Sequence, residues 1–492
     1  MSLDSIDDLP TVNSFAGLPP EFYTRLQPQP LDQPRLLHAN VQVAGMLGLS
    51  QAALGRPDFL DVCSGNRGLA RGDTLAAVYS GHQFGVWAGQ LGDGRAHLLG
   101  EVMGPQGNFE LQLKGSGMTP YSRMGDGRAV IRSSVREYLA GEAMAGLGIP
   151  TTRSLALVTA RDPVYRETVE RAAVVTRVSP TFVRFGSFEH WNHQPAQMRI
   201  LLDYVVDRFY PACRDEPAGQ TQGEHGVLLR FLREVVARSA RLAADWQTAG
   251  FCHGVMNTDN MSIIGLTLDY GPYGFMDAFQ IGHICNHTDT QGRYAWNTQP
   301  SVMHWNLYRL AGSLAVLGAE AEDLREQLGH FEQDFMDAYH GNLVRKFGLR
   351  GWREGDEVLV DDWWRLLHTQ KADFTLSFRR LAGAPLDPEP FFELFTDREA
   401  AQAWLDAYCR RLELDGRPEA ERIEHMRLAN PLYVLRNHLA EQAIRAAEND
   451  DAGEIETLLM LLRAPYTERA GYESYAAQAP DWARELHVSC SS

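Results

Sequence analysis

The hydrophobic period of this chain changes once, and that change restricts its fold more than any other feature. From Ala76 to about Val178, short apolar runs alternate with glycine-rich turns, and one helical stretch interrupts them. Side chains on a strand alternate between faces, so this texture predicts an antiparallel sheet carrying a helix. From about Gln197 onward the period is helical, as in Met198–Phe209 and Gly226–Gln247. One island, His253–Phe279, breaks the helices, and within it Ser262–Ile264 and Leu266–Leu268 flank Gly265 as a small hairpin. The expected class is α+β, with a small antiparallel-sheet lobe followed by a large helical lobe. Residues 1–60, rich in Pro and Leu, read as an extended wrap with a short helix near Val43–Leu49. Residues 61–180 then form the sheet lobe and 181–330 the helical lobe with its chemistry-bearing loops. Residues 331–492 form a helical extension ending in Cys490-Ser-Ser492, with Asn430–Arg436 expected in its core.

Within the sheet region the polar residues fall in a telling order. Gly89-Gln-Leu-Gly-Asp-Gly-Arg95 lies between two strand-like runs, Gly81–Ala88 and Ala96–Met103. Glycines there let a backbone approach phosphate and aim amide N–H groups at it, although most such segments are simple hairpin turns. The next strand, Phe109-Glu-Leu-Gln-Leu-Lys114, alternates apolar and polar residues and ends on a lysine. A helix over Ser133–Gly148 follows, stopping before Pro150. Its Ser134 and Glu137 have the spacing of a capping box, while Glu137 is also placed to pair with Lys114; Glu142 is the rival for that pairing. Between strand and helix, Thr119–Arg128 is a long loop in which Asp126-Gly127 can turn toward a nucleotide and Arg123 and Arg128 can neutralise phosphate. Arg177 and Arg184, at the junction of the two lobes, suit a clamp on a polyphosphate tail.

The sharpest signal is His253-Gly-Val-Met-Asn-Thr-Asp-Asn260, followed by Asp269-Tyr-Gly271. The catalytic loop of protein kinases reads H-R-D-L-x-x-x-N, and its metal loop reads D-F-G. His253 and Asn260 keep the seven-residue separation of that loop, and Asp269-Tyr-Gly resembles its metal motif. The position of the catalytic aspartate is Val255, and Asp259 is the nearest replacement base. Asn260 and Asp269 supply hard oxygen donors suited to Mg²⁺ or Mn²⁺.

Longer strings carry a closer resemblance. Tyr79–Arg95, Thr119–Val130, His253–Asn260 and Ile284-Cys-Asn-His-Thr-Asp289 resemble the selenoprotein O (SelO) family, from about residue 30 to Cys490. The resemblance implies a two-lobed, protein-kinase-like pseudokinase that binds ATP in an inverted orientation and transfers AMP to Ser, Thr or Tyr of proteins. It implies that Lys114, Arg177 and Arg184 hold the β- and γ-phosphates, with Glu137 bracing Lys114. By the same resemblance, Gly92, Gly94, Arg95, Asp126 and Gly127 would line the nucleotide site, Asn260 and Asp269 would bind Mg²⁺ or Mn²⁺, and Asp259 would act as base. Some relatives carry selenocysteine near the C-terminus; the matching residue here is Cys490, as in bacterial members with cysteine. Phe279-Gln-Ile-Gly-His283 departs from the family pattern, which has Asp-Pro shortly before Ile-Cys-Asn-His. A reversible disulfide between Cys285 and Cys490 would make activity redox-sensitive. The alternatives are UMP transfer from UTP with Mn²⁺, an ordinary kinase using Asp259, and a silent nucleotide-binding scaffold.

Composition narrows the partners. A net charge of -17 and a pI near 5.4 argue against nucleic acid and against an anionic membrane surface. Six cysteines without a C-x-x-C pair, an acidic start and no long apolar run suit a cytoplasmic chain. The expected partners are ATP and protein substrates bearing Ser, Thr or Tyr.

Overall fold

The computed structural model describes residues 2–215, 223–486 and 488. The chain opens with β1 (Tyr23–Arg25), β2 (Arg35–Ala39), α1 (Val41–Leu47) and α2 (Pro57–Ser64). Residues expected to wrap the lobe therefore also complete its sheet. β1 pairs with β3 (Leu75–Gln83), and β2 pairs with β8 (Arg153–Tyr165) at the opposite edge. The strands between are β4 (Val86–Gly92), β5 (Ala96–Gly104), β6 (Gly107–Lys114), the two-residue β7 (Ala129–Val130) and β9 (Val169–Ser179). The order is β1-β3-β5-β6-β9-β8-β2, antiparallel throughout, with β4 on β3 and β7 on β9.

The lobe's helix, α3 (Ile131–Gly146), is buried along most of its length, with Val135, Tyr138, Leu139 and Met144 in the main core. It starts three residues before Ser134, with Val130 at its N-cap and no side-chain cap. The Ser134–Glu137 spacing is therefore not a capping box. The short strand β7 pairs with β9 and sets the helix start instead, which turns Glu137 toward the sheet.

The helical lobe begins with α4 (Phe185–Glu189), α5 (Pro195–Phe209) and α6 (Gly223–Ala249). The island 251–279 follows. Phe251–Cys252 pairs with Gly274–Phe275, but Ser262–Leu268 is a turn held by an isolated Met261–Thr267 bridge, not a hairpin of two strands. Its backbone bonds go elsewhere: Ile263 N–H to Val183 and Thr267 N–H to Pro150. The lobe continues through α7 (Gln299–Leu314), α8 (Ala321–Gly329) and α9 (Phe331–Lys346). The extension comprises α10 (Asp356–Gln370), α11 (Phe374–Leu381), α12 (Glu389–Phe392), α13 (Arg398–Glu413), α14 (Glu419–Ala429), α15 (Asn437–Glu448) and α16 (Gly453–Leu462).

An aromatic-rich second core, including Phe347, Trp363, Phe378, Trp404 and Tyr408, holds α9–α14 together. Tyr433, Val434, Leu435 and Arg436 are buried, as expected. The last two helices return to the sheet lobe and pack against α3. There Arg463 meets Glu142 at 2.8 Å, beside Arg153 at 2.6 Å. Glu142 is thus bound to two arginines at this seam and takes no part in the pairing with Lys114. No helix among the described residues is long and apolar enough to cross a membrane. A small antiparallel-sheet lobe, a single helix braced on it and a large helical lobe with an extension make this a protein-kinase-like α+β fold.

Candidate active site

Lys114 ends β6 at the centre of the sheet, and Arg177 lies directly across from Gln112 on β9. Register therefore puts two cations side by side on one face. α3 delivers Glu137 to the same point. Lys114 Nζ lies 2.5 Å from Glu137 and 3.1 Å from Asp269. Arg177 binds Glu137 through Nε and Asp269 through a guanidinium nitrogen at 2.5 Å. Two cations and two carboxylates thus form a closed square that ties sheet, helix and metal loop together. Lys114, Glu137 and Arg177 are all buried, so each charge depends on the others.

The electrostatics follow from that square. Burial pushes the Asp269 carboxyl up, but Lys114, Arg177 and Arg184 outweigh it and hold it well below the usual carboxylate range. Burial likewise opposes ionisation of Glu137, and Arg177 and Lys114 again prevail. Asp259 differs. It is buried, and burial pushes its carboxyl up to about 6, with a hydrogen bond from Gln83 and the Arg184 charge pulling the other way. Gln83 Nε2 donates to Asp259 Oδ2 at 3.1 Å, while Oδ1 is buried without a hydrogen-bond partner among the described residues. That combination, a carboxyl titrating near neutrality with one free acceptor oxygen, suits a general base. Arg184 fixes the loop by donating to the Asp259 backbone carbonyl at 2.8 Å, and its guanidinium lies over the Tyr79 ring.

A cavity of about 720 Å³ gathers these residues. Lys114, Arg177, Arg184, Asp259 and Asp269 line its inner part, and Gly92, Gly94, Arg95, Asp126 and Gly127 line the rest. Glu137 does not reach the cavity; it stands behind Lys114 and Arg177. Asn260 follows Asp259 in the same short 3₁₀ turn and donates through Nδ2 to the Val255 carbonyl at 3.0 Å. Asp126 also forms an ion pair with Arg166 at 2.7 Å, and Arg128 is tied to the Gln29 and Pro30 carbonyls. Arg128 is thus already engaged by backbone, although both residues line the cavity.

The glycine-rich segment is built differently from the sequence expectation. Gly89–Gly92 belongs to β4, and the turn is Asp93–Arg95. Its glycines make room for protein: a Cβ on Gly92, at φ +148°, would stand 2.4 Å from the Tyr121 ring, and one on Gly94 2.8 Å from the Tyr121 carbonyl. The loop Thr119–Arg128 is thereby drawn against the cavity, which Tyr121–Arg128 line.

Tyr79 and Gln83 are site residues that motif reading overlooked. Both lie on β3 at alternate positions, so strand period alone places them on one face. Below them, Glu189 accepts from Thr258 and sits 2.5 Å from His82 Nδ1, bracing the catalytic loop against β3 and α4.

Asn260, which is not among the cavity's lining residues, and Asp269, which is, carry the hard oxygen donors that suit a divalent cation. Donation by the Asn260 amide nitrogen leaves its oxygen as the ligand atom, and Asp269 is kept ionised by its neighbours. Among the described residues, no cluster of three His, Cys, Asp or Glu side chains offers a self-sufficient metal site.

A family model described as protein adenylyltransferase SelO matches residues 7–463. The chain is 65% identical to the protein nucleotidyltransferase YdiU of Bordetella parapertussis over 490 residues, covering 99% of both chains. It is 52% identical to the protein of that name from Ralstonia nicotianae, covering 97% of this chain and 95% of the relative. The corresponding protein of Dechloromonas aromatica is 50% identical, covering 98% and 97%.

Proposed function

The chain belongs to the SelO family of protein adenylyltransferases, and from that premise we propose that this enzyme moves AMP from ATP onto Ser, Thr or Tyr hydroxyls of cytoplasmic proteins. The observation that carries this reading is the separation of charges in the cleft. Two buried cations, Lys114 and Arg177, sit at the inner end with Arg184, and the replacement base Asp259 stands on the loop beside them. A triphosphate tail held by the three cations directs the nucleoside outward, beneath the loop Thr119–Arg128. The α-phosphorus then becomes the electrophile. A base placed for attack on the γ-phosphorus is not needed, which accounts for Val255.

In this mechanism the substrate hydroxyl gives its proton to the Asp259 carboxylate, and its oxygen forms a bond to the α-phosphorus. The bond from that phosphorus to the bridging oxygen breaks, and pyrophosphate leaves toward Lys114, Arg177 and Arg184. Catalysis is positioning and charge stabilisation by groups already in place. A bound Mg²⁺ or Mn²⁺, held by Asn260 and Asp269, supplies further neutralisation of phosphate charge.

Parallel incubations with ATP labelled on the α- or the γ-phosphate test the reading. Label kept on protein from the α-position only is the expected result. Label kept from the γ-position only makes the protein a kinase, and no label from either makes it a nucleotide-binding scaffold. The relatives' names specify nucleotidyl transfer without a base, so α-labelled UTP with Mn²⁺ belongs in the same experiment.

The pH dependence gives a separate check. Asp259 must be deprotonated to act, and its carboxyl titrates near 6. The transfer rate at low substrate is expected to climb tenfold per pH unit below that value and level off above it. Asp259→Asn should lower the plateau by about 10²–10⁴-fold and remove the rising limb. A variant that keeps the limb would assign it to another group.

Redox control by a Cys285–Cys490 disulfide is part of this proposal. Cys285 is buried, and its Sγ donates to the Pro272 carbonyl at 3.0 Å, while Cys490 lies outside the described residues. Activity of Cys490→Ser should no longer respond to oxidant and reductant; an unchanged response would remove the disulfide from the reading.

A further inference from the structure

Of the 46 basic residues in this chain only three are lysines: Lys114, Lys346 and Lys371. Lys114 belongs to the cleft, and Lys371 is an exposed residue capping α10. Lys346, at the end of α9, is only 7% exposed, and among the described residues its ammonium has neither an ion-pair nor a hydrogen-bond partner. Its Nζ lies over the Phe378 ring, 4.2 Å from the centroid. Burial pushes its amine down to about 7, and the neighbouring Arg345 charge acts in the same direction. Buried cations are ordinarily paired, so a lone one needs an explanation.

Lys346 lines a cavity of about 570 Å³ that shares no lining residue with the nucleotide cleft. It is formed where the C-terminal ends of α6 and α9 meet α14. Arg345, Arg350 and Arg417 also line it, with Asp245 as the one carboxylate. Asp245 accepts from Asn342 Nδ2 at 2.8 Å, and burial pushes its carboxyl up, which weakens it as a counter-charge. Glu421 lies 3.6 Å from Arg417 and 3.8 Å from His425 but is not among the lining residues. Four cations thus face one carboxylate, in a chain whose net charge is -17. Phe374 and Tyr466 give the cavity an apolar wall.

We propose that this cavity is a second ligand site, which takes a small phosphate-bearing molecule on Lys346, Arg345, Arg350 and Arg417. Its volume falls in the range of small-molecule sites. The excess of positive charge suits a dianion better than a single carboxylate. Guanidinium forks match phosphate oxygens, and the ammonium serves as a point charge. The carbon part of the ligand lies against Phe374 and Tyr466.

The shortage of lysines makes the test direct. The full-length protein is treated with pyridoxal 5′-phosphate, whose aldehyde condenses with an amine to release water, and borohydride then fixes the imine as a stable amine. Peptide mass mapping reads Lys114, Lys346 and Lys371 separately. Lys346 is expected to label about tenfold or more faster than exposed Lys371, since phosphate docking and a near-neutral amine both favour it. Inorganic phosphate should protect Lys346, while ATP protects Lys114. Protection by phosphate should weaken about fivefold in an Arg345→Ala/Arg350→Ala variant, which changes two exposed side chains and spares the core. Labelling of Lys346 no faster than Lys371, or unmoved by phosphate, would overturn the proposal. So would protection by succinate but not by phosphate.

Discussion

Asp269→Ala is expected to lower the rate of nucleotidyl transfer by about three orders of magnitude, with little loss of nucleotide binding measured without metal. The reasoning starts from the square of charges. Asp269 accepts from both Lys114 and Arg177, which also hold Glu137. Removing one carboxylate leaves Glu137 to neutralise two buried cations, and an incoming triphosphate restores the balance. Binding therefore survives. The reactive arrangement does not, because Asp269 is the carboxylate that stays ionised under every condition of interest. Metal-assisted charge stabilisation contributes several kcal/mol, and about 4 kcal/mol corresponds to a thousandfold in rate. Asp269→Asn keeps the size and loses the charge, so it should resemble the alanine variant. A loss under tenfold in both would move the metal elsewhere. Transfer of α-label and metal-free nucleotide binding are the two measurements.

The second large effect is on stability. Arg436 is 1% exposed and precedes α15. It binds Asp373 at 2.8 and 3.1 Å and also binds Asp277. Asp373 caps α11 by accepting from the Leu376 N–H, and Asp277 lies on the segment that follows the metal loop. One guanidinium therefore joins the catalytic island, the extension's core and the helix that returns to the sheet lobe. Arg436→Met fills most of the volume but leaves two carboxylates facing each other without a cation. Breaking a buried pair by removing one partner costs about 3–5 kcal/mol. Denaturant unfolding at neutral pH should show a loss of that size. A change below about 1 kcal/mol would mean that Asp277, the more exposed acid, is solvated enough to release the arginine.

The sequence made some of this legible and hid the rest for definable reasons. Lys114 and the strand that carries it could be placed because alternation of side chains is a local property. The sequence leaves Glu137 two roles at once, because the Ser134–Glu137 spacing occurs both at helix starts and inside helices. The two-residue strand β7, paired with a strand more than forty residues away, decides between them. The turn at Gly265 looked like a hairpin because its flanks are apolar, but their backbone partners are Val183, Pro150 and Thr152, which no local pattern reveals. Glycines at 92 and 94 suggest an approach to phosphate; their nearest neighbour is Tyr121, reached only once the loop folds back. The absence of a base at Val255 points to Asp259, yet its raised pKa and its contact with Gln83 arise from long-range packing that no local pattern reveals.

The return of α15 and α16 onto α3 has a consequence for how such a protein can be governed. In signalling kinases the corresponding helix swings, and its glutamate leaves and rejoins the lysine as the enzyme is switched off and on. Here that helix is wedged from behind: Glu142 is locked between Arg153 and Arg463, and the chain after α16 lies against its last turn. An outward swing would have to tear away the whole end of the molecule. The Lys114–Glu137 pair is therefore built in the engaged position, and control by a swing of this helix, as in those kinases, does not suit this fold.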